Sequence, residues 1–110
     1  MNPFNSTFSE SIVPTHTFDT APPLDVLLIP GGIGTFSPDP FFDEHLAFIR
    51  DQFPKLRYLI TVCTGAFIAA KSGVLDGRNA TSNKSVWADA PVYGPNVTWI
   101  AHARWVTDGK

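Results

Sequence analysis

The sequence predicts an α/β domain built around parallel strands, on the evidence of two apolar strands and the helical patterns that alternate with them. Residues 24–29 (LDVLLI) form an almost continuous apolar run, which is typical of a parallel strand covered on both faces. Residues 30–32 (Pro-Gly-Gly) end this strand in a tight turn. Residues 58–62 (YLITV) form a second, β-branched strand. The order strand, helix, strand, helix indicates parallel strands joined by right-handed crossovers.

The first helix is predicted from its capping residues and its apolar spacing. Asp39 fits the N-cap position, and Pro40 fits the first helical position, where its missing N–H costs nothing. Apolar side chains recur at near-helical spacing through residues 41–49, and Pro54 ends the element. We therefore expect a helix that begins just after Asp39.

Shorter elements are predicted in the rest of the chain. Residues 63–65 form a sharp turn, and residues 66–72 form a helix of small side chains that Gly73 stops. A turn follows at residues 74–77. The weaker patterns predict short strands at 11–13, 80–83, 97–100 and 103–107, and a helical turn at 85–90.

Composition excludes several classes of function. The net charge is −2 and there is no basic block, which argues against nucleic-acid binding. No apolar run is long enough to span a membrane, and the start of the chain lacks the apolar core of a signal peptide. The single cysteine excludes an internal disulfide and a cysteine-rich zinc site. We expect a cytoplasmic, reducing location.

The two ends of the chain predict a partial domain. Residues 1–10 form a polar lead-in, and the sequence stops at Lys110, directly after an Asp-Gly turn that normally leads into a strand. So few strands make a thin core with unpaired edges. We expect a loose segment at residues 1–10 and a parallel sheet between helices at residues 11–110, incomplete at both ends.

Cys63 lies where an apolar strand meets a helix, which is the setting of a nucleophile elbow. In such a turn the cysteine backbone is strained, and Gly65 leaves room for the close approach of strand and helix. The positive end of the following helix favours the thiolate. The N–H of Thr64 is placed to donate to an oxyanion. The alternative is a small, buried and inert cysteine.

A glycine-rich turn at residues 30–34 (PGGIG) leaves the first strand at the sheet edge where the Cys63 turn also emerges. Gly32 could therefore offer a second backbone N–H to the same reacting oxygen. A plain structural turn is the alternative. The segment is one glycine short of the dinucleotide fingerprint and lacks the Gly-Lys-Ser/Thr of a phosphate-binding loop.

None of the three histidines carries a specific signal for a general base. His45 falls within the first helical pattern, and His102 lies near the terminal strands. His16 follows the first short strand and is the best placed of the three. The aromatic side chains are interpreted as core or interface residues. They include Trp87, Trp99, Trp105, Phe41, Phe42, Phe48 and Phe53.

The two strand-end motifs together resemble those of the ThiJ/PfpI family, part of the class I glutamine amidotransferase-like superfamily. The motifs are DVLLIPGG at residues 25–32 and VCTGA at residues 62–66, and residues 73–81 and 105–110 continue the match. The Cys-Thr-Gly form looks most like the isocyanide hydratase branch, and like the amidotransferase-like domains of some transcription regulators.

The resemblance implies a flavodoxin-like α/β sandwich, a homodimer when the domain is complete, and a small-molecule substrate. It also implies that Cys63 is the nucleophile, that the amides of Gly32 and Thr64 form the oxyanion hole, and that neither metal nor organic cofactor is needed. The first hypothesis is therefore a cysteine-dependent hydratase or hydrolase that acts on a small electrophile such as an isocyanide. The second hypothesis is a non-catalytic redox or ligand sensor that uses Cys63.

The sequence departs from the family pattern at its polar partner positions. The acidic residue that contacts the cysteine in family members would lie upstream of Met1. Asn83 stands where a histidine often follows the Ala-Thr-Thr stretch, and Thr64 replaces the histidine of protease-like members. These departures argue against Cys–His peptidase activity, and an inactive fragment is a third hypothesis.

Overall fold

The structure, a computed structural model, describes residues 11–110 and has the predicted α/β architecture. Strand β1 (Val26–Ile29) pairs in parallel with strand β2 (Tyr58–Thr61). Helix α1 (Asp43–Gln52) connects them. In this register Leu27 lies opposite Leu59, so the odd-numbered side chains of both strands share one face of the pair and the even-numbered side chains share the other. The predicted lead-in at residues 1–10 lies outside the described residues.

A second parallel pair follows along the chain. Helix α2 (Gly65–Lys71) begins directly after the Cys63 turn, and Gly73, with φ of 87°, ends it. Strand β3 (Asn79–Ala80) pairs with strand β4 (Thr98–Trp99), and helix α3 (Ala90–Tyr93) lies between them in sequence. Three short 3₁₀ helices cover Ile33–Phe36, Phe53–Lys55 and Lys84–Asp89.

The core lies on one face of the β1–β2 pair. Helices α1 and α2 both pack on this face, and every residue from Gly65 to Ala70 is buried. The core cluster consists of Ile29, Phe42, Leu46, Ile49, Ile68 and Ala69. Phe67 extends it toward α3, since its ring stacks on that of Tyr93 with centroids 5.0 Å apart.

No element in residues 11–110 packs against the opposite face of the β1–β2 pair. Its side chains are 46% to 54% exposed: Val26, Leu28, Tyr58, Ile60 and Val62. Helix α1, which connects the two strands, and helix α2, which leads away to the separate β3–β4 pair, both pack on the other face.

The first helix begins later than the sequence predicted. Its N-cap is Phe42, and a turn in which the Asp43 N–H donates to the Pro40 carbonyl precedes it. The carboxylate of Asp39 accepts instead from the Lys71 ammonium at the end of α2. Asp39 is therefore occupied by an ion pair and does not cap α1.

Several of the short predicted elements differ in the structure. The strands predicted at 11–13 and 103–107 are absent, and those predicted at 80–83 and 97–100 shrink to β3 and β4. A strand requires a paired neighbour, and the apolar character of these segments does not supply one. No helix in residues 11–110 combines the length and the apolar character needed to cross a bilayer.

Candidate active site

The Cys63 turn has a strained backbone. Cys63 has φ of 56°, and it is the one non-glycine residue with a positive φ in the part of the chain that the structure describes. A hydrogen bond of 2.9 Å from the Gly65 N–H to the Val62 carbonyl closes the turn. The Cys63 side chain is exposed. Strain of about 1–3 kcal/mol at such a residue persists only where the surrounding contacts impose it.

Glycines on both sides of this turn permit its close packing. A Cβ at Gly31 would lie 2.7 Å from the Cys63 Cβ and 2.9 Å from the Thr64 nitrogen. A Cβ at Gly65 would collide with the carbonyl oxygen of Ile29. The turn after β1 and the turn after β2 therefore touch through their backbones, as the nucleophile elbow requires.

A buried threonine ties these two turns together. The Gly32 N–H donates to the Thr64 Oγ1 over 3.0 Å, and the Thr64 hydroxyl donates back to the Gly32 carbonyl over 3.2 Å. The Thr64 side chain is buried. The Gly32 N–H, expected to face a reacting oxygen, is thus engaged by a hydroxyl. The Thr64 N–H donates to no group within residues 11–110.

A loop after β3 reaches the cysteine from the other side. The Asn83 Nδ2 donates to the Cys63 Sγ over 3.1 Å, and the Ser82 Oγ donates to the Cys63 carbonyl over 2.9 Å. The sequence singled out Asn83 only as a departure from histidine. Its contact with the sulfur joins residues twenty positions apart, and no local pattern signals such a contact.

A cavity of about 390 Å³ opens beside Cys63. Its polar lining includes three cationic side chains and one carboxylate: Arg78, Arg104, Lys110 and Asp108. Arg78 donates to the Asp108 carbonyl over 3.0 Å, and Lys110 donates to the Phe53 carbonyl over 2.8 Å. The cavity therefore combines an exposed thiol with an excess of positive charge, because Asp108 pairs with Arg78 and Lys110 donates only to backbone carbonyls.

No histidine or carboxylate contacts the Cys63 sulfur within residues 11–110. His16 is exposed, and its Nδ1 lies 3.1 Å from the Thr15 Oγ1. His45 packs edge-on against Phe18, with ring centroids 5.0 Å apart. His102 is exposed and lines a shallow cavity that it shares with Asn83. The same residues include no group of three or more metal-ligating side chains.

The fold and the site define a class of protein. Parallel strands, a positive-φ cysteine between strand and helix, and a double-glycine turn packed against it characterise α/β proteins with a cysteine elbow. The model of the DJ-1/PfpI family matches residues 2–110. The chain belongs to the DJ-1/PfpI family, and its flavodoxin-like fold and the resemblance identified from its motifs are confirmed.

Two relatives refine this placement. An isonitrile hydratase from Pseudomonas putida is 38% identical over 86 residues, which cover 78% of this chain and 36% of the hydratase. The HTH-type transcriptional regulator GbdR from Pseudomonas aeruginosa is 36% identical over 70 residues, which cover 64% of this chain and 18% of the regulator. The chain thus spans little more than a third of the hydratase and less than a fifth of the regulator.

Proposed function

We propose that this protein uses Cys63 to hydrate a small isocyanide. The observation that carries the proposal is the exposed Cys63 at a positive-φ strand–helix turn, beside a cavity of about 390 Å³. Similarity to an isonitrile hydratase supports this substrate class. The proposal extends to a homodimer, as the family resemblance implies.

The reaction starts with attack of the Cys63 thiolate on the terminal carbon of R–N≡C, which forms a C–S bond. A proton from water goes to that carbon and gives the thioimidate R–N=CH–S–Cys63 and a hydroxide ion. The hydroxide then adds to the same carbon, and its proton passes to the nitrogen, which leaves a tetrahedral adduct with a negatively charged oxygen. Collapse of this tetrahedral adduct breaks the C–S bond, returns the thiolate and releases the N-substituted formamide R–NH–CHO. The net change is addition of one water.

The backbone around Cys63 supports the tetrahedral step. The N–H of Thr64, which donates to no group in residues 11–110, would donate to the oxygen of the adduct. In this proposal the Gly32 N–H becomes a second donor only when that oxygen replaces the Thr64 hydroxyl as its acceptor. Thr64 then donates to the adduct through its backbone N–H, and its hydroxyl accepts from the Gly32 N–H until the adduct forms.

The test is formamide production from an alkyl isocyanide, followed by chromatography and mass spectrometry. We expect turnover by the protein and its loss in Cys63→Ser, with the Pseudomonas putida hydratase as positive control. A folded protein without turnover, or a Cys63→Ser variant with undiminished turnover, contradicts the proposal. The variant Asn96→Ala, in an exposed loop, is the control for effects of mutagenesis and purification, and it should keep the turnover of the unmodified protein.

A sensor function is the second candidate, and two observations favour it. No acid or base contacts the Cys63 sulfur within residues 11–110, and one relative is a transcriptional regulator. The exposed thiol would then react with peroxide or hold a ligand without turnover. Intact-mass spectrometry after mild peroxide treatment should show one or two oxygens added at Cys63. Oxidation spread over methionine and tryptophan side chains contradicts the redox version.

A further inference from the structure

The orientation of the Asn83 amide is fixed by a serine two residues further on. The Asn83 Oδ1 accepts from both the Ser85 N–H and the Ser85 Oγ, each over 2.9 Å. Rotating the amide by half a turn would place its NH₂ against the Ser85 N–H donor and lose that bond. The NH₂ end is therefore held toward the Cys63 sulfur.

The loop that carries Asn83 is anchored at several points. The Lys84 ammonium donates to the Thr81 hydroxyl and, over 3.0 Å, to the Ser82 carbonyl. The same ammonium lies 4.2 Å from the centre of the Trp87 ring. With the Ser82 bond to the Cys63 carbonyl, these contacts hold the loop against the elbow. The amide is thus placed before any substrate arrives.

An amide donor acts on the sulfur differently from a histidine. A carboxamide NH₂ donates hydrogen bonds but neither gains nor loses a proton as a general acid or base at physiological pH. A hydrogen bond to an ionised acceptor is about twice as strong as one to a neutral acceptor. Asn83 therefore stabilises the thiolate more than the thiol, and it leaves proton transfer to water.

We infer that Asn83 is the residue that stabilises the reacting Cys63 sulfur by donating a hydrogen bond to it, and that Ser85 is a positioning residue that keeps the NH₂ end of the amide on the sulfur. The inference rests on the proposed role of Cys63 as the nucleophile. In the reaction above, the same hydrogen bond forms again when the C–S bond breaks and the thiolate leaves. A histidine at this position could transfer a proton to or from the sulfur, whereas Asn83 only donates a hydrogen bond to it.

The experiment measures the rate of Cys63 alkylation by iodoacetamide as a function of pH, which needs no isocyanide substrate. For Asn83→Ala we expect alkylation to be roughly fivefold slower at neutral pH, a modest effect because the sulfur is exposed. Asn83→Asp should lose more, and salt should reduce its loss, because a carboxylate repels the thiolate. Ser85→Ala should fall between wild type and Asn83→Ala, since the freed amide samples both orientations.

The control is Asn96→Ala, which removes the same amide from an exposed loop and should leave the alkylation profile unchanged. Circular dichroism confirms that each variant is folded. If Asn83→Ala does not fold, Ser85→Ala carries the test. An unchanged alkylation profile in folded Asn83→Ala, or in Ser85→Ala where Asn83→Ala does not fold, overturns the inference. Absence of isocyanide turnover with shifted profiles contradicts only the proposed function.

Discussion

Gly65→Ala tests whether the close contact between β1 and the start of α2 determines the stability of the site. The added methyl group would collide with the Ile29 carbonyl oxygen and lie 2.8 Å from the Pro30 carbonyl oxygen. Both atoms belong to the backbone, so neither can rotate away as the end of a flexible side chain would. Helix α2 must therefore move away from β1.

The magnitude follows from what this movement disrupts. A displacement on the order of 1 Å separates Ile68 and Ala69 of α2 from Ile29 in the core cluster. Overpacking of a close-packed site costs about 1–3 kcal/mol, and a backbone collision belongs at the upper end. We expect the free energy of unfolding to fall by about 3 kcal/mol. For a domain of this size the melting temperature then falls by about 12–24 °C.

The assay is urea unfolding followed by circular dichroism, with Gly34→Ala as the matched control. Gly34 also lies in the first turn region, but nothing lies within 4 Å of the position that its Cβ would occupy. The control should change the free energy of unfolding by no more than about 0.5 kcal/mol. The reasoning is refuted if Gly65→Ala is no less stable than Gly34→Ala.

Three further predictions use the same unfolding assay. Cys63→Gly should be about 1 kcal/mol more stable than Cys63→Ala, because glycine adopts φ of 56° without strain; equal stabilities contradict this. Thr64→Val should lower the free energy of unfolding by about 1–2 kcal/mol, since the Gly32 N–H loses its acceptor, whereas Thr64→Ser should retain most of the stability. Equal losses in the two variants contradict a stabilising role for the Thr64 hydroxyl. At low salt, Asp39→Asn and Asp39→Ala should lower the free energy of unfolding equally, because both remove the ion pair with Lys71. The loss should stay below about 1 kcal/mol because that ion pair is exposed. An Asp39→Asn variant with unchanged stability would instead indicate that residue 39 acts as an N-cap.

The sequence predicted those parts of the fold that local signals determine. The apolar runs ended by Pro-Gly-Gly and Cys-Thr-Gly coincide with β1 and β2, and the small-residue pattern coincides with α2. Parallel pairing followed from their alternation with helices, and the family match confirms the fold class. These signals are strong because strand length, turn chemistry and helix capping all depend on neighbouring residues.

The failures all involve contacts between distant residues. Asp39 satisfies the local rule for an N-cap, but the Lys71 ammonium takes its carboxylate. The strand predicted at 103–107 has the right composition but no strand beside it. Asn83 reaches Cys63 across the turn after β2, and nothing in its own neighbourhood indicates that contact. A single sequence determines such pairs only through the tertiary structure.

The Cys-Thr-Gly motif and the chemistry of the sulfur are therefore separate matters. Thr64 ties the two turns and Gly65 admits the β1 backbone, so two of the motif's positions serve the geometry of the elbow. The partner of the sulfur comes from the loop after β3, through Asn83. A substitution confined to the Asn83–Ser85 segment should therefore alter the reactivity of the sulfur and leave the backbone geometry of the elbow intact.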